Sequence, residues 1–220
     1  MLFNYGVLIV DCATSEDKKS IGNNIVLVPY KAIHVEKYHK WMQSEEIREL
    51  TASDLLTLEE EYENQQSWYE DSKKCTFIIL DKEKIKKDKD GELLVESIVK
   101  DYLDSMAGDV NLFWNEYEEE GSAEVEVMIA EPSCRRRGFG SEAIEIMMHY
   151  AVTNLSDITT RFIVKIGESN TTSIQLFKKL GFQQVGQVNV FKEINMIFEP
   201  IDQIKSWKQP NQLKLLSWIE

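Results

Sequence analysis

The stretch "IAEPSCRRRGFGSEAIEIMMHYA", Ile129 to Ala151, decides how this 220-residue chain is read. Three consecutive arginines, Arg135 to Arg137, run into Gly138-Phe139-Gly140. A segment of helical apolar periodicity follows, with Ala143, Ile144, Met147, Met148 and Ala151 as its stripe. The whole chain carries a formal charge of −13, yet positive charge is concentrated where this helix begins. Helix N-termini expose unpaired N–H groups and the positive end of the macrodipole, so they attract anions. Gly138 and Gly140 remove side chains and let phosphate oxygens approach the backbone. The pattern fits a pyrophosphate, placed where the overall acidity would otherwise repel it. A Walker loop is excluded because Gly-Lys-Ser/Thr is missing, and G-x-G-x-x-G does not occur here. A helix that merely starts near glycine, beside solvated arginines, is the plainer alternative.

Outward from this stretch the elements alternate. Before it, "AEVEVMIA" places Glu124, Glu126 and Met128 on one face of a strand and Val125, Val127 and Ile129 on the other. "NIVLVPY" (Asn24 to Tyr30), "CTFIIL" (Cys75 to Leu80), "AGDVNLFW" and "RFIVKI" also read as strands. Ile33, Tyr38, Trp41 and Met42 recur at helical spacing. "SDLLTLEEEYENQQSWYEDS" reads as a second helix, with Thr57 and Glu60 spaced as a capping box. The charged "DKEKIKKDKDGELLVESIVKDYLDSM" reads as a solvated insertion, and "NEYEEEGS" as a hairpin link. "SNTTSIQLFKKLGF" is a helix ended by Gly181, and "QQVGQVNVFKEINMIFEP" finishes with a strand pair. The order β-α-α-β-β-β-α-β-α-β-β predicts an α/β or α+β fold, a mixed sheet with helices on both faces.

Composition narrows the function. At 43% hydrophobic and 29% charged, the chain has enough apolar residues for one core. Its acidity argues against nucleic acid and favours cationic partners such as amines and basic peptides. Cys12, Cys75 and Cys134 form no zinc or disulfide pattern, which makes the cytoplasm or nucleus the expected compartment. The apolar start lacks a basic flank and is closed by Asp11, so no signal peptide is expected. No stretch has the length of a membrane span, and no metal site is expected. His34, His39 and His149 fit packing or surface roles, and Cys134 a loop residue.

Two motifs together carry a resemblance. "VMIAEPSCRRRGFGSEAIEIMMHYA" resembles the acetyl-CoA-binding motif of the GNAT acetyltransferases, R/Q-x-x-G-x-G/A after a strand. "IGESNTTSIQLFKKLGF" resembles their second motif, an asparagine followed by a helix ending in K-x-G-F. "LVPY…HVEKYHKWMQSEEIRELTASDLLTLEEEY" and "GDVNLF…EVEVMIAEPSCR" are similar to the eukaryotic N-acetyltransferase 9-like branch, near the RimJ/RimL type. The resemblance implies a mostly antiparallel central sheet in a domain spanning 23–199, with residues 1–22 an extension and 200–220 a tail. It implies acetyl-CoA as co-substrate and a protein or peptide amine as acceptor, the N-terminal α-amine ahead of lysine.

Carried over residue by residue, the resemblance sets Met128, Ile129 and Ala130 beside the pantetheine arm. The amides of Arg136, Arg137, Gly138, Phe139, Gly140 and Ser141 lie on the pyrophosphate, next to Arg135, and Asn170 on the arm. Phe177 stands where many relatives carry the tyrosine that protonates the leaving thiolate. A base is still required, because an amine at neutral pH is mostly ammonium. Glu124 matches the catalytic glutamate of some relatives, and Glu126 shares its face. Two functions remain open: acetyl transfer to a primary amine in a ternary complex, and a non-catalytic GNAT-fold module that keeps CoA.

Overall fold

The structure, a computed structural model, describes residues 7–10, 24–86, 89, 102–199, 201, 204 and 213–216. Most of the charged insertion lies outside the described residues. Its ends are short 3-10 turns at Lys82–Lys84 and Tyr102–Ser105. The described strands are β1 (Val7–Val10), β2 (Ile25–Pro29), β3 (Lys74–Asp81), β4 (Met106–Phe113), β5 (Ser122–Ile129), β6 (Arg161–Gly167), β7 (Gln183–Val185), β8 (Glu193–Phe198) and β9 (Leu213–Leu216). The helices are α1 (Val35–Met42), α2 (Glu45–Thr51), α3 (Leu58–Glu70), α4 (Phe139–Asn154) and α5 (Thr171–Lys179).

The strands form one sheet in the order β7-β8-β6-β5-β4-β3-β2-β1-β9, antiparallel throughout except for the parallel pair β5–β6. Helices cover both faces, as the element order predicts. The central strands are apolar on both sides for this reason. In β2, Ile25 and Leu27 join the cluster under α4 and α5, and Val26 and Val28 join the cluster under α1 to α3. In β3, Cys75, Phe77 and Ile79 divide from Ile78 and Leu80 in the same way. The predicted stripe of α4 is buried throughout. Ile204, from the C-terminal tail, is buried in the same cluster.

Local signals act as the sequence indicates at α3, where Thr57 and Glu60 exchange both bonds of the capping box. The structure differs at three places. Ile33, expected on the apolar face of α1, is exposed, because Ala32–His34 forms a 3-10 turn that buries His34 instead. The Nδ1 of His34 accepts from the amide of Lys31 at 2.8 Å, and burial pulls its pKa down to about 3. Helix α2 has no periodic signature, since it buries only Ile47. It is set by Ser44 at its start and by left-handed Ala52 at its end. Strands β1 and β9 come from segments read as extension and tail, and they pair with each other at the sheet edge.

One carboxylate fastens β2 to α4. The Glu142 Oε1 accepts from the amides of Asn24 and Ile25, each at 2.9 Å, and its Oε2 from the Asn24 Nδ2 at 3.0 Å. Removing it strands a buried amide, at about 1–3 kcal/mol per unsatisfied group. Glu142→Ala is therefore expected to lower stability by about 2–4 kcal/mol in urea unfolding. Glu142→Gln, which keeps one oxygen acceptor, should cost less.

Candidate active site

Strands β5 and β6 pair over three residues only: Ser122 with Arg161, Ala123 with Phe162 and Glu124 with Ile163. Beyond Glu124, β5 continues as a partner of β4 alone, and β6 as a partner of β8. The two strands therefore part in the middle of the sheet. Backbone groups on the inner side of this gap lie within the domain without a ladder to satisfy them.

The arginine loop closes one end of the gap. None of the six consecutive amides from Arg136 to Ser141 donates to another described group, and the first bond of α4 runs from the Glu142 amide to the Gly138 carbonyl, 3.0 Å. Gly138 sits at φ +84°, where an L side chain is strained, and a Cβ on it would meet nothing within 4 Å. Gly140 is less restricted. A Cβ there would touch Leu176 at 3.5 Å, an ordinary contact.

The arginine side chains are mostly committed elsewhere. The Arg137 Nη1 binds the Asp81 Oδ2 at 2.7 Å and its Nη2 the Glu83 Oε2 at 2.7 Å. Asp81 is buried, and losing its partner would leave an uncompensated charge, a loss of about 3–5 kcal/mol. The Arg135 Nε donates to the Ile129 carbonyl at 3.1 Å, its Nη2 to that of Ala130 at 3.4 Å, and its Nη1 lies 3.5 Å from Glu46. The carbonyls of Ile129 and Ala130, expected to face the pantetheine arm, are thus engaged by Arg135. Only Arg136 is exposed without a side-chain partner among the described residues. Arg135 and Arg137 brace the loop, and its unpaired backbone amides are the groups free to meet an anion. Cys134 is fully buried, in keeping with a structural loop position.

The carboxylates of β5 occupy the α1–α3 face, opposite Val125 and Val127. Glu124 is held by the Lys165 Nζ at 2.9 Å, and that ammonium also binds Glu118 at 2.8 Å. Glu126 makes no such pair and is reached by solvent. Its pKa is pushed up to about 7, first by burial, then by the charges of Glu124 and Asp109, against Lys165 and Lys74. Exposure and desolvation are compatible for a side chain on a cleft wall, with protein around it and an open front. Asp109, on β4, is buried and likewise pushed up to about 7 by burial, opposed by the bond from Asn111.

An acetyltransferase (GNAT) domain model matches residues 24–183. The N-acetyltransferase 9-like protein of Dictyostelium discoideum is 59% identical over 182 residues, covering 81% of this chain and 84% of its own. The human alpha/beta-tubulin-N-acetyltransferase 9 is 49% identical over 177 residues, 80% of each chain. The chain belongs to the GNAT acetyltransferase family. The spermidine N-acetyltransferase of Vibrio cholerae, solved with CoA and spermine, shares the fold at a TM-score of 0.64 and 15% identity, covering 82% of this chain and 98% of its own. The protein is an N-acetyltransferase of this family, similar across most of its length to the N-acetyltransferase 9-like proteins.

The second GNAT motif has a structural account in this chain. The Asn170 Oδ1 caps α5 by accepting from the Ser173 amide at 3.1 Å. At the other end, the Gly181 amide donates to Lys178 and the Phe182 amide to Phe177 at 3.0 Å, a Schellman motif with Gly181 at φ +96°. Phe177 and Phe182 are the two positions whose apolar contact accompanies that motif, and their rings meet edge to face at 5.0 Å. The structure therefore places Phe177, expected beside the cofactor, in the core at 2% exposure.

Sequence reasoning missed Asp81, Asp109, Asn111 and Lys165. Two polar residues at alternate positions of the otherwise apolar "AGDVNLF" were the available signal for Asp109 and Asn111.

Phe177→Ala is expected to cost about 3–5 kcal/mol in ligand-free unfolding, the range for an emptied aromatic core site. A change below about 1 kcal/mol would return Phe177 to a cofactor-facing role.

Proposed function

We propose that this chain transfers acetyl from acetyl-CoA to a primary amine of a protein, the N-terminal α-amine ahead of a lysine, with Glu126 as general base. The observation that carries this is the six unpartnered amides at the mouth of the β5–β6 gap, with Glu126 on the same strand. The amides of Arg136 to Ser141 suit the pyrophosphate, and Gly138 leaves the approach clear. The open edge of β5, around Met128 and Ile129, suits the amide-bearing arm, and the Ile129 N–H suits a developing oxyanion. When bound, the thioester supplies an activated acetyl carbon.

Glu126 is favoured over Glu124 because a base works best with a pKa near the operating pH and a free lone pair. The Glu124 carboxylate is occupied by Lys165. A protein acceptor is supported by the relatives named for alpha- and beta-tubulin, which makes the tubulin dimer the first acceptor to test. A cytoplasmic or nuclear setting goes with it, on the free and buried state of Cys75 and Cys134. The competing reading, an inert CoA-binding module, draws on the absence of a tyrosine at position 177.

Acetyl-CoA is expected to raise the melting temperature, by the equivalent of about 2.7 kcal/mol at 100-fold excess over Kd. Gly138→Asp should abolish that shift and the calorimetric binding signal while the fold survives, because its carboxylate points into the anion site. Retained binding would move the phosphate site elsewhere.

Turnover of tubulin, followed by CoA release, should fall as pH drops through about 7, since a base whose pKa is raised is protonated below it. Glu126→Gln should lower kcat by about 10²-fold and remove that limb. Equal loss in Glu124→Gln with none in Glu126→Gln would reverse the assignment. An N-terminally blocked acceptor that is still acetylated would shift the preference to lysine.

A further inference from the structure

The polar face does not stop at Glu126. Thr76 pairs with Asn111 across β3–β4, and Asn111 with Glu126 across β4–β5, so the three stand in one row across the sheet. Asp109 lies two positions along β4 from Asn111, diagonal to Glu126. Thr76 is 8% exposed, Asn111 4%, Asp109 2% and Tyr30 4%. The Thr76 Oγ1, Asn111 Oδ1, Asp109 Oδ1 and Tyr30 hydroxyl have no hydrogen-bond partner among the described residues. The one bond within the group runs from the Asn111 Nδ2 to the Asp109 Oδ2, 2.7 Å. Buried polar atoms are rarely left dry, and ordered water is their usual partner where protein supplies none. At the far end, Thr76 and Tyr30 line a small, partly open cleft with Pro29, Trp68 and Tyr69.

We infer that this row is a hydrated proton path, which leads from Glu126 past Asn111 and Asp109 to the cleft at Thr76 and Tyr30, and empties the base after each turnover. The inference rests on Glu126 as base. Its need follows from the proton balance. As the C–N bond forms and the C–S bond breaks, the acceptor ammonium gives up two protons. One ends on the thiolate sulfur and one must leave to solvent. With thioester and acceptor protein in place, the front of the cleft is covered, and the row offers a rear exit.

The surrounding charges suit a transfer between two carboxylates of similar affinity. Glu126 faces Glu124 on its own strand, Asp109 from β4, Lys74 from β3 and Lys165 from β6. The charge of Asp109 reaches Tyr38 of α1 and Tyr30, as does that of Glu61 on α3, which lies 3.8 Å from His39 of α1. Lys165 is held by Glu118 and Glu124. Burial pushes both Glu126 and Asp109 up to about 7. Asp109 acts through Glu126 and is a positioning residue.

The test uses the full chain with acetyl-CoA and purified tubulin dimer. Thr76→Val keeps the shape and removes the hydroxyl. It should lower kcat by about tenfold, leave KM for acetyl-CoA unchanged and raise the solvent deuterium isotope effect. Thr76→Ser should restore all three. Asp109→Asn removes a negative charge beside Glu126 and should move the acid limb to lower pH. Folded Thr76→Val and Asn111→Leu proteins with wild-type kcat and isotope effect would overturn the path. If the wild type turns over no amine, the proposed function fails and the path falls with it; turnover that is insensitive to Thr76→Val and Asn111→Leu overturns the path alone.

Discussion

The parallel pair β5–β6 holds for three residues and then parts, and the catalytic half of the molecule depends on that separation. A closed ladder would have consumed the backbone groups of β5 beyond Glu124. An open one leaves a gap whose strand edges suit an extended, amide-bearing ligand. Beside it, on the α1–α3 face, Glu126 is exposed while Glu124 is held by Lys165. The separation also brings the start of α4, which follows β5 by a short turn, to the mouth of the gap.

The arginine-rich loop shows how labour is divided at that mouth. The sequence places three cations near the amides expected to hold a phosphate. In the folded chain Arg137 is neutralised by Asp81 and Glu83, and Arg135 ties the end of β5 to α2 through Glu46. Two of the three cations hold the loop in a shape that leaves six consecutive N–H groups without a partner among the described residues. That leaves the backbone as the proposed anion site, with Arg136 as the exposed charge beside it. An acidic protein can in this way bind a polyanion without a basic surface, because oriented dipoles act at contact distance and net charge is screened.

Much of this was legible in the chain. Strict alternation in "AEVEVMIA" put Glu124 and Glu126 on one face, and they share it in the structure. The apolar stripe gave α4, Thr57 with Glu60 gave the start of α3, and Gly181 gave the end of α5, because each is a local rule within four residues. What stayed hidden depends on long-range pairing. The Asp81 partner of Arg137 is 56 residues away, and nothing local marks it. That Glu124 is tied down and Glu126 is free follows from Lys165, which reaches Glu124 only once β6 is laid beside β5. Phe177 aligns with the family's tyrosine, which gives no sign that its ring is taken by the Schellman contact with Phe182. Strands β1 and β9 are too short to announce themselves, since their pairing depends on each other.

The central claim, that the backbone of the arginine loop is the anion site beside an opened sheet, is tested most directly by amide hydrogen exchange with and without CoA. Protection on binding is expected to concentrate at residues 136–141 and along the open edge of β5 near Met128 and Ile129. Protection confined to other segments, with 136–141 exchanging as in the free protein, would contradict it.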